Sequence, residues 1–101
     1  MPADDRPTRA DTRLRDNAQV CRYEYAIGNE LGWVSYERSS GVTTLSYARV
    51  PDALAGRGVG SQMARAVLAA ERARGARVRA TCSFIAAYLA RHPEFDDLRA
   101  D

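Results

Sequence analysis

The hydrophobic rhythm of the chain changes once. Up to residue 50 apolar and polar positions largely alternate, and after residue 58 the apolar ones recur at intervals of three and four. From Val20 to Ile27, Cys21, Tyr23, Tyr25 and Ile27 share one face, with Arg22 and Glu24 on the other. This is the pattern of a half-buried strand with Cys21 packed in the core. Gly28-Asn29 supplies a hairpin turn. Leu31 to Arg38 places Leu31, Trp33 and Ser35 on one side and Val34 and Tyr36 on the other, a second strand, and Ser39-Ser40-Gly41 turns the chain again. Val42 to Val50 is rich in β-branched and aromatic residues and reads as a third strand. Pro51 ends it, because proline has no N–H to give a ladder.

Val59, Met63, Ala66, Val67, Ala70 and Ala73 then trace the apolar stripe of a long helix, with Gln62, Arg65, Glu71 and Arg72 off the stripe and Gly75 at the C′ position. Ala76 to Cys82 alternates Val78, Ala80 and Cys82 against Arg77, Arg79 and Thr81, a fourth strand. Strand, helix and strand at this spacing imply a parallel pair joined by a right-handed crossover. Ser83 is placed to cap a last short helix whose inward face is Phe84, Ile85, Tyr88 and Leu89, stopped by Pro93 after His92. The expected fold class is α/β of the mixed α+β kind: an antiparallel three-strand meander, a βαβ crossover in a mixed sheet, and a short C-terminal helix. An uncovered first strand at Val20 to Ile27 would invite pairing, so the expected state is a monomer or a weak homodimer.

Residues 1–17 mix Asp and Arg with Pro2 and Pro7 and offer little apolar surface beyond Leu14, so they are expected to form a disordered tail before a single domain at 18–101. Apolar residues make up 46% of the chain, enough for a modest core. No run of about 18 apolar residues is present to span a membrane. The N-terminus lacks an apolar signal core, which gives a cytoplasmic expectation. The formal net charge is +2 with acids interspersed, and all 15 basic residues are arginine, a balance that does not call for nucleic acid. Cys21 and Cys82 make no disulfide framework, and no His, Cys or Asp spacing suggests a metal site.

The stretch with chemistry in it is Gly56-Arg57-Gly58-Val59-Gly60-Ser61, at the start of the long helix. Glycines admit positive φ and let the backbone approach a ligand without a Cβ in the way. The first N–H groups of the helix then face an anion, aided by the positive end of its dipole. Ser61 adds a hydroxyl and Arg57 a cation, so one diphosphate is a suitable ligand. No Gly-Lys-Ser or Gly-Lys-Thr follows, and the chain has no lysine, which excludes a P-loop. The spacing is not that of a dinucleotide turn, and no second βαβ half exists to hold another nucleotide.

The order of elements, with the glycine turn opening the long helix, resembles the coenzyme A binding core of the GNAT superfamily of N-acetyltransferases. The superfamily's cradle has Gln or Arg, two residues, Gly, one residue, then Gly or Ala. Here Ala55 stands at the first position, and the glycine half, Gly58-Val59-Gly60, is intact. A minimal GNAT-like subfamily without N-terminal helices is closer still. Its Cys-Pro-Phe segment, Tyr and His-Pro-Glu ending are matched by Cys82-Ser83-Phe84, Tyr88 and His92-Pro93-Glu94. The resemblance spans Val20 to Leu98. Two departures touch activity: Ser83 replaces the proline, and Tyr47-Ala48-Arg49 precedes Val50-Pro51 where the subfamily has imidazole and acidic groups.

The resemblance implies an acetyl-CoA-dependent N-acetyltransferase, with acetyl-CoA or coenzyme A as cosubstrate and an unidentified amine, on a protein or a small molecule, as acceptor. The diphosphate would be held at Arg57, Gly58, Val59, Gly60 and Ser61, the pantetheine arm would follow Thr44 to Val50, and the N–H near Val50 would face the thioester. Tyr88 matches the tyrosine beside the coenzyme sulfur, a general acid; on spacing alone it is equally a core aromatic. Cys82 either carries the acetyl group transiently, activated at a helix start, or packs as a small hydrophobe. His92 is expected to cap its helix, with Glu37 and Glu94 as other candidates to take the amine proton. The alternative to an enzyme is a coenzyme A binding or protein-interaction module without turnover, and the departures at Ala55 and before Pro51 favour it.

Overall fold

The computed structural model describes residues 11–54 and 56–100. Strands β1 (Leu14–Asn17), β2 (Arg22–Ile27), β3 (Glu30–Ser39) and β4 (Val42–Arg49) each run antiparallel to the next. Helix α1 (Val59–Arg74) returns the chain to β5 (Arg77–Ala80), which lies parallel to β4. Helix α2 (Ser83–Arg91) and a 3-10 segment, Pro93–Leu98, complete the order. The sheet runs β1-β2-β3-β4-β5 without interleaving. The expected mixed sheet, βαβ unit and C-terminal helix are all present, but the meander has a strand more than expected.

That strand corrects the reading of the tail. Leu14 lies opposite Tyr25 and packs on the core, Asp16 accepts a hydrogen bond from the Tyr36 hydroxyl at 2.5 Å, and Asp11 accepts one from Tyr25 at 2.8 Å. Partners distant in sequence order the segment, so its own low apolar content did not reveal it. Residues 1–10 lie outside the described residues. Because β1 covers β2, Val20 to Ile27 is not an edge. Ala18 to Cys21 instead form the turn between β1 and β2, and Cys21, with φ 56, is exposed and not in the core. The β3–β4 hairpin has Ser40 and Gly41 both left-handed, φ 53 and 80, as a two-residue primed turn demands.

The core occupies one face of the sheet. Tyr23, Tyr25, Val34, Leu45 and Val78 point to it from the strands, Met63, Ala64, Val67 and Leu68 from α1, and Ile85, Tyr88 and Leu89 from α2. Full burial of a Leu or Val side chain contributes about 1.5–3 kcal/mol. α1 begins and ends where its glycines put it: Gly58 caps the N-terminus at φ 75, and the Gly75 N–H bonds to the Arg72 carbonyl.

Glu71 departs from the amphipathic pattern. Although it falls off the predicted stripe, it is fully buried, accepting hydrogen bonds from Tyr23 at 2.5 Å, Thr43 at 2.7 Å, Arg38 at 2.9 Å and Arg74 at 3.2 Å. Burial and then the Glu71 carboxylate push the Tyr23 phenol well above its ordinary pKa. Burial opposes the charge on Arg38, but its bonds to Glu71 and Asp16 outweigh that and hold it above the ordinary value.

Candidate functional site

β4 and β5 stay paired only as far as Leu45 and Ala80. There the Leu45 carbonyl accepts both the Thr81 N–H at 3.0 Å and the Cys82 N–H at 3.2 Å, and β5 ends. On the other side of β4 the register against β3 shifts between Ser35 and Tyr36, leaving Ser46 as a bulge. β4 nevertheless continues to Arg49. From Ser46 onward, its edge toward β5 therefore has no strand partner, and β4 runs on past the end of β5 beside a notch in the sheet. Backbone donors and acceptors along such an edge are free to pair with an extended ligand.

The glycine turn closes one end of this notch. The first intrahelical bond of α1 joins the Gln62 N–H to the Gly58 carbonyl at 3.1 Å. The donors ahead of it, on Val59, Gly60 and Ser61, have no intrahelical acceptor. A glycine cap offers them no side chain, and the first turn carries no acidic residue to compete with an anion. The Arg57 N–H is committed to the Leu54 carbonyl at 3.3 Å, so Arg57 has only its exposed guanidinium to offer. Ala55 lies outside the described residues.

A cavity of about 250 Å³ lies over these donors, lined by Val50, Leu54, Gly56, Gly58, Val59, Gly60, Ser61 and Phe84. It brings together every predicted cradle residue except Arg57. Gly56 and Gly58 hold φ 78 and 75, a region that glycine enters without strain. Gly60 is needed for space: a Cβ there would lie 2.8 Å from Phe84 Cζ and 3.5 Å from Val50 Cγ2. A backbone kept bare over free amide donors suits a diphosphate, and the residues present fit that group.

Phe84 is the site residue that sequence reasoning missed. Periodicity put it on the inward face of α2, but it is 37% exposed and stands over Gly60. Helix α2 starts one residue earlier in its turn than expected, with Cys82 as the N-cap and Ser83 already helical. Phe84 is thus the second residue of α2 and lies in the first turn beside Gly60 of α1.

The two candidate catalytic residues lie outside the cavity lining. Cys82 is half-buried, packed against the core at the point where β5 gives way to α2. Tyr88, 2% exposed, is stacked on the His92 ring with centroids 3.8 Å apart and planes 12° from parallel. His92 Nδ1 is 2.8 Å from the Tyr88 carbonyl oxygen, which can only accept, so Nδ1 carries the proton and His92 caps α2 as expected. Glu94 pairs with Arg65 at 3.8 Å, and Glu37 is exposed on β3; neither lines the cavity.

A family model described as GCN5-related N-acetyl-transferase matches residues 22–98. The chain belongs to this family. The matched region includes the notch, the glycine cradle, Cys82 and Tyr88. No curated protein matches the chain. Among solved structures, a GCN5-like protein from Staphylococcus aureus, determined by NMR in solution, is similar with a TM-score of 0.66 and 21% identity over 85% of each chain. At that identity the likeness speaks for the fold alone. No helix among the described residues is long and apolar enough to cross a membrane.

Proposed function

We propose that this GCN5-related chain transfers an acetyl group from acetyl-CoA to an amine. The observation that carries the reading is the junction of the unpaired edge of β4 with the bare N-terminus of α1. An extended pantetheine arm suits the first, and the N–H groups of Val59, Gly60 and Ser61 suit the diphosphate joined to it. Arg57 and the Ser61 hydroxyl supply further donors to the phosphates, and a backbone N–H near Val50 would face the thioester oxygen.

The chemistry needs a neutral amine, a donor to the developing oxyanion and a proton for the leaving sulfur. In our assignment, Tyr88 gives its phenolic proton to the sulfur. Stacking against His92 holds its ring in one orientation. Nearly complete burial removes water that would compete for that proton. A second route uses the Cys82 sulfur, half-buried at the N-cap of α2 where β5 ends beside Leu45 of β4. The deprotonated sulfur would attack the thioester carbonyl and expel coenzyme A as a thiolate, which takes the Tyr88 proton; the amine would then attack the acetyl-cysteine, regenerate the Cys82 thiolate and return its own proton to Tyr88.

Calorimetry with acetyl-CoA, followed by thiol release over a panel of amines, tests the reading. Binding with release supports the transferase, and binding without release leaves a coenzyme A module. Absence of binding removes both. Intact-mass measurement after acetyl-CoA treatment separates the routes, since no increment on Cys82 leaves only direct transfer.

A further inference from the structure

Among the described residues nothing covers the face of the sheet opposite the helices. Every buried apolar strand residue lies on the α1 side, and the alternate positions form cross-strand rows in register. One row runs Arg15, Glu24, Trp33, Arg49 across β1 to β4; the next contains Arg22 and Tyr47. Trp33 is held between two cations, with the Arg22 guanidinium 4.6 Å and the Arg49 guanidinium 5.8 Å from its ring. Tyr47 beside it is 52% exposed, and Leu31 is 37% exposed.

The charge on this face is lopsided. Glu24 is paired with Arg22 at 2.9 Å, and Arg22 foremost, with Arg15 adding, holds its carboxyl below the usual range. Glu37 is the other acid on the face, whereas Arg49 and Arg79 are exposed with no ion pair to a described residue. Tyr47 and Arg49 also belong to the stretch of β4 that borders the notch, so the surface runs continuously into the proposed reaction site.

Resting on the transferase reading, we infer that this uncovered face docks the acceptor, and that the acceptor is an amine on an acidic protein segment. A bare cationic amine approaching past Arg49 and Arg79 would be repelled, and carboxylates flanking it reverse the sign. Exposed aromatic and aliphatic groups between the arginines give such a segment apolar contact as well. Single-stranded nucleic acid fits less well: both contacts to Trp33 are already made by arginines, and the whole chain carries a net charge of only +2.

Trp33 is the chain's one tryptophan, so its emission reports on this face directly. The test titrates the intact protein with a synthetic peptide of glutamates around one lysine, with the same peptide carrying arginines in place of glutamates, and with a thymidine oligonucleotide. Acetyl-CoA calorimetry runs in parallel. The glutamate peptide should change Trp33 emission saturably, and its binding should weaken as salt is raised. The variant Arg15→Ala/Arg79→Ala, both exposed on this face and outside the β4 stretch assigned to the coenzyme, should bind it about tenfold or more weakly, equivalent to about 1.4 kcal/mol, while binding acetyl-CoA normally. Equal or tighter binding of the arginine peptide or the oligonucleotide overturns the inference. So does an emission change that follows protein concentration alone, which would mean that a second copy occupies the face. If acetyl-CoA binds and the glutamate peptide does not, this inference fails alone; if acetyl-CoA does not bind, the transferase reading fails first.

Discussion

Gly60 and Phe84 are 24 residues apart in sequence, yet a Cβ added to Gly60 would meet the Phe84 ring at 2.8 Å. The contact is with the far tip of a side chain already 37% exposed, so the ring can swing away without unfolding the core. Gly60→Ala should therefore lower thermal stability little, by less than about 1 kcal/mol, while weakening coenzyme A binding by about tenfold because methyl and displaced ring intrude over the amide donors. Calorimetry and a melting curve check both parts. Adding Phe84→Ala should restore part of the affinity; no recovery would place the damage elsewhere.

Gly58 presents the opposite case. A Cβ at this position would meet nothing within 4 Å, but φ is +75. Gly58→Ala should then cost stability through backbone strain alone, about 1–2 kcal/mol, in a denaturant titration. A neutral effect would mean that the turn relaxes out of the left-handed region.

Tyr88→Phe keeps the ring that stacks on His92 and removes only the hydroxyl. Turnover should fall by about a hundredfold, within the range for loss of a general acid, with coenzyme A affinity nearly intact. Unchanged turnover would return Tyr88 to a packing role.

Glu71 sits fully buried among Arg38, Arg74, Tyr23 and Thr43, and Arg38 Nε is a buried atom with no partner of its own. Glu71→Ala leaves the buried Tyr23 and Thr43 hydroxyls without their acceptor and Arg38 with Asp16 alone, at 3.0 Å, and each buried group left unsatisfied costs about 1–3 kcal/mol. Chemical denaturation should show a loss of that order, and a loss below about 1 kcal/mol would contradict a paired charge.

Asp11 and Tyr25 share one hydrogen bond, 2.8 Å, and respond at opposite ends of the pH scale. The Arg13 guanidinium beside it holds the Asp11 carboxyl at about 2, below its ordinary 3.8. Its stabilising effect is therefore complete above the ordinary value and is lost as pH falls toward 2. Because the Asp11 side chain remains 23% exposed, the loss should be on the order of 1 kcal/mol. Burial and then the Asp11 acceptor raise the Tyr25 phenol to about 12, so its contribution is present below its ordinary 10.0 and lost as pH rises toward 12. Asp11→Asn should flatten the acid limb of a stability profile; an unaltered limb would assign the acid loss to other carboxylates.

Local pattern was sufficient for the elements themselves. Alternation located three of the four antiparallel strands and the parallel one, periodicity located both helices, and Gly58 and Gly75 marked the ends of α1, because each of these depends on residues close together in the chain. The glycine turn was legible for the same reason: free amides at a helix start are a property of consecutive residues. What local pattern concealed depends on distant partners. Leu14–Asn17 became a strand through Tyr25, Tyr36 and Arg38; Glu71 became core through Arg38 and Tyr23; and Phe84 became a wall of the cradle because the fold brings the first turn of α2 against Gly60 of α1. Spacing alone determined both helices and four of the five strands, and it singled out the glycine turn as the candidate anion site. Only the tertiary structure decided where β4 runs on past β5, which buried charge is paired, and which face of the sheet the described residues leave open, since each of those is settled by contacts the sequence does not bring close.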